Sequence, residues 1–393
     1  MIARSPTRFF QPHFWAEDGS VFFRDAHELG ASSLATPYSG YLHAYPRAVA
    51  YLASFAPLAW TPTLYMLGGL ASTLWVSLFL FHPRLPLSYK PALALVPALI
   101  PHNGECFLTI TNAQWYLALT LILLPLLTPP SRPIHALPEF LLLVVLGLTG
   151  PFVLLALPLF LVRADRERTW YPLTMAAIAI GIAVFHSLFV YMQGAPNSIC
   201  NALPETWKEI AEAGRVSCWR MSLCLGELRY ASLPKKWWIP IAALMPLVLL
   251  GLTRREPTSF KLAWGGLFLG VLNIVSGVAR NKSHVMCLVE DEIRYEVIYA
   301  VAIGWAIVAA WPLCRWGRLA LAACAAVFLA SIPFGFTSKV PTDSSPWPEV
   351  VARLERGERV EFHFPPGWQT TVGPLGPLAD SRTIAVPTAG ELP

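Results

Sequence analysis

The chain is predicted to be an all-α polytopic membrane protein, and two observations carry that reading. Hydrophobic residues fill 55% of its 393 positions against 13% charged, and they gather in runs of about twenty residues separated by short basic connections. A water-soluble core is excluded. The net charge of +5 is small, and Lys and Arg sit in short loops where they orient helices, which excludes nucleic acid as a partner. Membrane lipids are the expected surroundings.

Long apolar runs mark spans at 62–81, 109–128, 171–192, 260–279, 293–314 and 317–334. Weaker pieces follow at Pro91–Pro101, Trp237–Leu252 and Glu139–Val162. The last is broken by Gly150-Pro151 and reads as a hairpin of two short segments, because helix-breaking pairs are tolerated at membrane depth where protein covers the freed backbone. Splitting it places Arg84, Lys90, Arg132, Arg163, Arg166, Arg168, Arg254, Arg255, Lys261, Arg315 and Arg318 on one side, as the positive-inside rule requires. About ten crossing or half-crossing segments result, with both termini and the loops 102–108, 193–236 and 280–292 on the outer face. Three regions follow: an outer N-terminal loop over 1–45, a multi-span domain over 46–335, and a small extracytoplasmic tail over 336–393. Within the tail, Glu349–Arg356 is spaced as a short helix and Arg359–Phe364 as a strand.

Cys106, Cys200, Cys218, Cys224 and Cys287 fall in outer loops, where an oxidising compartment allows pairing, with connectivity open. Cys314 and Cys324 lie in apolar stretches as small buried residues. No cysteine and histidine spacing marks a zinc site.

The chemistry concentrates at Phe14-Trp15-Ala16-Glu17-Asp18-Gly19. Adjacent carboxylates flanked by aromatics and a glycine make a poor solvated face and a plausible tight turn, and they offer a base or a metal ligand beside a lipid-borne substrate. The segment from Pro37 to Arg47 adds Tyr38, Tyr41, His43, Tyr45 and Arg47; the tyrosines fit interfacial anchoring or sugar stacking, and His43 and Arg47 fit packing or ligand contact. Asn112, Gln114 and Trp115 open a span, where amides tie helices together or bind a hydroxylated ligand. Arg280 closes one helix and Arg294-Tyr295 opens the next, so their guanidiniums can converge on one anion; pairing with Glu290 or Asp291 is the alternative.

These stretches, Trp15-Ala16-Glu17-Asp18-Gly19, Tyr38-Ser39-Gly40-Tyr41-Leu42-His43 with Pro46-Arg47, Asn112-Ala113-Gln114-Trp115, Arg280 and Arg294-Tyr295, resemble bacterial integral-membrane glycosyltransferases of the GT-C type. The resemblance implies a multi-pass protein of the bacterial inner membrane with its active site facing the periplasm. It implies inverting transfer of a hexosyl or pentosyl unit from a polyprenyl-phosphate donor to a cell-envelope glycan or lipid acceptor. Asp18 is then the base, Glu17 orients it or helps hold a divalent metal, Arg280 and Arg294 bind the donor phosphate, and His43, Arg47, Tyr41, Tyr295, Gln114 and Trp115 line the substrate site. No ligand spacing demands the metal, and no nucleotide-binding fingerprint is present. The family places a membrane helix before its acidic loop, and Met1–Phe14 is too short and polar for that role, so the expectation is a chain that lacks it. A lipid-linked glycan polymerase or ligase, or a membrane transporter, are the alternative functions; few intramembrane charges and no related halves weigh against transport.

Overall fold

The computed structural model describes residues 6–100, 106–192, 238–280, 293–311 and 344–373, with Arg318, Ala322 and Ala326 as isolated helical positions. Thirteen helices are described: α1 (Pro6–Phe10), α2 (Arg24–Leu29), α3 (Ala44–Ala53), α4 (Thr61–Phe79), α5 (Lys90–Leu99), α6 (Ala113–Leu123), α7 (Leu137–Gly147), α8 (Phe152–Glu167), α9 (Trp170–Met192), α10 (Trp238–Thr253), α11 (Pro257–Arg280), α12 (Val297–Ala310) and α13 (Trp347–Glu355). A single antiparallel hairpin, β1 (Val360–Phe364) with β2 (Trp368–Val372), is the strand content among the described residues.

Leu58–Phe79, Trp170–Phe189 and Pro257–Ser276 are long and apolar enough to cross a membrane, which makes the chain a predominantly helical membrane protein. The helices α5, α6, α7, α8, α10 and α12 have 10 to 16 residues. At about 1.5 Å per residue they fall short of a hydrocarbon core of about 30 Å. The run at 109–128 is helical only from Ala113, because Thr109–Asn112 forms a turn in which the Thr109 hydroxyl accepts the Asn112 N–H at 3.3 Å. The run at 293–314 begins as a 3-10 turn, Ile293–Glu296, before α12. The run at 317–334 lies outside the described residues apart from the isolated positions, as do the loop 193–236 and every cysteine except buried Cys106.

Gly150-Pro151 does split its segment into two helices. The turn lies at one end of the bundle, where Ala44 N–H donates to Leu148 O at 3.1 Å and Tyr45 N–H to the Thr149 hydroxyl at 3.2 Å. At the opposite end Glu139, buried at the start of α7, accepts from Arg84 and from the Tyr171 hydroxyl at 3.2 Å, while Arg163 donates to Leu127 O at 2.6 Å. The charges predicted to share a face, Arg84 and Arg163, therefore do share one end.

Small residues let the helices approach. A Cβ on Gly266 would stand 2.8 Å from Ala302 Cβ and one on Gly270 2.8 Å from Tyr299 Cα, so this Gly-x-x-x-Gly face of α11 lies directly on α12. A Cβ on Gly69 would stand 2.4 Å from the backbone nitrogen of Thr109, which presses α4 against the turn that precedes α6.

Two sequence expectations change form. Residues 6–45 are largely helical turns rather than an open loop, and residues 344–373 of the tail are seated on them rather than hanging free. Phe14, Phe22 and Phe23 share one hydrophobic cluster with Val350, Val351, Leu354, Val360, Phe362 and Phe364. Phe14 meets Trp347 edge-on at 5.0 Å, and Ala16 N–H donates to Pro365 O at 2.8 Å. The reason is burial: three phenylalanines of a chain segment too short to cover them need an apolar partner, and the predicted helix and strand of the tail supply it.

Gly69→Ala is expected to cost about 1 to 3 kcal/mol, because the added methyl meets backbone that cannot rotate away. Gly181→Ala, which meets nothing within 4 Å on α9, is expected to be neutral or slightly stabilising. Thermal melts of the two purified variants against the parent check the contrast.

Candidate active site

Asp18 opens a π-helical turn, Asp18–Phe23, and is almost wholly buried. Its Oδ1 accepts the backbone N–H of Thr111 at 2.9 Å and the Thr111 hydroxyl at 2.6 Å. Oδ2 accepts nothing from the described residues, and Asp18 enters no ion pair among them. Burial pushes its carboxyl up to about 7; the two Thr111 bonds and the Arg8 guanidinium pull the other way without cancelling it. Such a group is poised to exchange a proton near neutrality. Gly19 is required beside it, since a Cβ there would come within 2.7 Å of the Phe364 ring.

Glu17, half-buried, accepts the Tyr38 hydroxyl at 3.2 Å. Tyr38 and Tyr41 pair across a tight turn through N–H to O bonds of 2.8 and 3.0 Å, with Ser39 and Gly40 both at positive φ, as a two-residue reverse turn needs. His43 is buried at the foot of α3 in the left-handed conformation, with Nε2 3.1 Å from Tyr38 O and its ring against Phe22, Tyr38 and Tyr41. The structure thus brings Asp18, Glu17, Tyr38, Tyr41 and His43 into one neighbourhood.

Arg47 is placed differently. It is buried beneath this layer, donating to Asp25 Oδ2 from both terminal nitrogens at 3.2 Å and to Ser33 O at 2.9 Å. Both partners are protein groups, so its guanidinium fastens α3 to α2 and to the 3-10 turn Gly30–Ala35.

Gln114 and Trp115 lie in the first turn of α6, immediately after Thr111. Trp115 donates from Nε1 to Asn112 Oδ1 at 3.1 Å and packs edge-on against Phe152 at 4.9 Å and Tyr295 at 5.0 Å. Tyr295 is buried, its carbonyl accepting the Asn273 amide at 2.8 Å, and half-buried Arg294 lies 5.6 Å over its ring. A continuous path therefore runs from Asp18 to Thr111, along the chain to Asn112, and from there through Trp115 to Tyr295 and Arg294. Arg280 ends α11, and its side chain lies outside the described residues, as do Glu290 and Asp291.

Three participants were missed in the sequence: Thr111, Asp25 and His186. His186 is fully buried on α9, donating from Nε2 to Gly147 O at 2.8 Å with Tyr41 5.8 Å from its ring. Thr111 adjoins the Asn112 motif, which was signal enough to include it; a single histidine in an apolar run offered none. Among the described residues no cluster of three His, Cys, Asp or Glu side chains is arranged to hold a metal. Comparison of the chain with protein-family models, curated proteins and solved structures returns no match.

The Asp18 environment makes a sign-definite prediction. A carboxyl raised from 3.8 to about 7 binds a proton in the folded state that the unfolded chain has released. Its contribution to stability is full below the unfolded value and is lost as pH rises through the folded one. Asp18→Asn preserves a neutral group that accepts from Thr111. Its melting temperature is expected to match the parent near pH 4 and to exceed it at pH 8 by the equivalent of roughly 4 kcal/mol. A gap independent of pH would show that Asp18 is not buried as an anion at alkaline pH.

Proposed function

We propose that the chain is an integral-membrane glycosyltransferase of the GT-C kind, moving a sugar from a polyprenyl-phosphate donor to a cell-envelope glycan or lipid acceptor on the outer face of a bacterial inner membrane. The observation that carries this reading is the buried Asp18 carboxylate, held on one oxygen by Thr111 and shifted up to about 7. A base of that strength beside membrane helices suits removal of a proton from a hydroxyl acceptor.

On this reading Oδ2 of Asp18 takes the acceptor's proton as its oxygen attacks the anomeric carbon. The bond from that carbon to the phosphate oxygen breaks on the opposite face, which inverts the centre. Polyprenyl phosphate departs with increased negative charge, and Arg294, with Arg280 from the end of α11, meets that charge. Glu17 and Tyr38 fix the loop that carries the base. The remaining short helices complete the bundle of about ten segments around the donor's lipid chain.

The deciding measurement is sugar transfer by membranes or purified full chain from polyprenyl-phosphate sugars to lipid and glycan acceptors. Asp18→Asn is expected to abolish transfer while folding normally, and near-parental turnover in that variant would overturn the assignment of the base. In the parent, the rate is expected to rise through about pH 7 as Asp18 loses its proton. Thr111→Val, which removes the hydroxyl that favours the anion, is expected to move that acidic limb to higher pH.

For the phosphate contact, Arg294→Lys is expected to weaken donor binding severalfold or more, because an ammonium does not reproduce the planar fork. Donor titration of that variant indistinguishable from the parent's would remove Arg294 from the site.

A further inference from the structure

Two buried hydrogen-bond acceptors flank the turn between α7 and α8, and neither has a donor among the described residues. The first is Nδ1 of His186. Gly147 O can only accept, so the 2.8 Å bond requires the ring proton on Nε2, and in the neutral ring Nδ1 is left as a lone pair. That atom is buried without a partner in a residue of 0% exposure. The second is Oε1 of Gln114, likewise buried without a partner. Its amide nitrogen lies 3.5 Å from Thr111 O, and Oε1 points at the chain at Gly150, where a Cβ would stand 2.4 Å away. Gly147 and Gly150 belong to one turn, so the two acceptors bracket it, and both lie at the Asp18 end of the bundle: Gln114 one turn from Thr111, and His186 against Tyr41.

An unsatisfied buried acceptor costs about 1 to 3 kcal/mol, and two around one turn call for a shared explanation. The chemistry of the missing partner is constrained. Two lone pairs repel a phosphate or carboxylate, and an apolar chain would leave both unpaired. A group bearing several hydroxyls in a small volume satisfies both, and the Tyr41 ring beside His186 offers an apolar face to the C–H side of such a group.

We infer that the α7–α8 turn forms the sugar subsite of this protein, in which hydroxyls of the glycosyl group donate to His186 Nδ1 and Gln114 Oε1. This deepens the glycosyltransferase reading and rests on it. It divides the donor between two chemistries, a neutral end read by acceptors at Gly147–Gly150 and an anionic end met by arginine at Arg294. His186 and Gln114 are specificity determinants; the proton transfer stays with Asp18.

The test uses the full chain in lipid nanodiscs, titrated with bare decaprenyl phosphate and with decaprenyl phosphate carrying glucose, mannose or arabinose. His186→Gln keeps a nitrogen donor for Gly147 O and removes the acceptor from the Nδ1 position, whereas His186→Asn keeps a side-chain oxygen near Nδ1 and removes the Gly147 bond. The parent is expected to prefer one of the glycosylated lipids over the bare one. His186→Gln is expected to lose about tenfold affinity for that lipid with bare-lipid binding unchanged, while His186→Asn retains more of the sugar preference at a lower melting temperature. Gln114→Met is expected to lose sugar preference in the same way, and it judges the proposal alone if His186→Gln does not fold. Full sugar preference in both His186→Gln and Gln114→Met would overturn the subsite, leaving the turn a place for water, with the glycosyltransferase reading intact. A parent that prefers none of the glycosylated lipids would overturn both.

Discussion

The pair of hydrogen bonds from Thr111 to Asp18 ties together the parts of the molecule that meet at this end of the bundle. One partner belongs to a short N-terminal segment that cannot cover its own apolar side chains, the other to the turn that starts α6, 93 positions away. The turn is itself held from behind, because Gly69 lets α4 press against the Thr109 backbone. The N-terminal segment is held from the front by the tail through Trp347, Phe362 and Phe364 around Phe14 and Phe23. Asp18 is therefore buried by elements from three regions of the chain, and its altered acidity is a property of that assembly rather than of the local sequence. Loss of any one wall would admit water and return the carboxyl toward its ordinary range.

The two ends of the bundle treat charge in opposite ways. At the basic end Glu139 meets Arg84 and lies 3.6 Å from His82, and Tyr171 sits between the guanidiniums of Arg84 and Arg163 at 5.5 and 5.3 Å. Arg163 also satisfies the carbonyls of Leu124 and Leu127 at the exit of α6, where the helix leaves acceptors unpaired. Among the described residues there, Arg84, Lys90, Arg163 and Glu139 each have a structural partner. At the other end Asp25 is neutralised by Arg47, but Asp18 a few residues away is met by a hydroxyl and an amide alone. That difference between two neighbouring aspartates separates an ion-paired fastening from a carboxyl that burial pushes up to about 7.

Much of this was legible from the chain. Apolar runs located α4, α9 and α11, the basic loops justified the break at Gly150-Pro151, and alternation in the tail located α13 and β1. The acidic pair, the Tyr38–Tyr41 turn and the first turn of α6 were recognised as neighbours in chemistry before they were neighbours in space. What the sequence withheld is tertiary. Arg47 reads as an available cation because nothing local announces that Asp25 will lie under it. The tail reads as an appendage because the surface it covers is more than three hundred residues earlier. His186 reads as a lone polar residue in an apolar helix, and only the neighbouring Gly147 carbonyl fixes which of its nitrogens is left to bind.

Backbone conformation points to the same end of the molecule. Six non-glycine residues among those described have positive φ: Ala16, Ser39, His43, Tyr89, Leu108 and Arg168. Arg168 ends α8, where a left-handed residue is an ordinary way to stop, and Tyr89 immediately precedes α5. The other four lie in the segments around Asp18: Ala16 two residues before it, Ser39 and His43 in the tyrosine turn, and Leu108 three residues before Thr111. Each such residue costs on the order of 1 kcal/mol or more and persists only where the surroundings hold it. Added to a buried carboxylate and two acceptors unpaired among the described residues, this makes the region costly taken alone. The aromatic cluster between the tail and the N-terminal segment is the compensating element nearest to it. Its position, directly on the acidic turn rather than along the membrane helices, follows from where the cost is incurred.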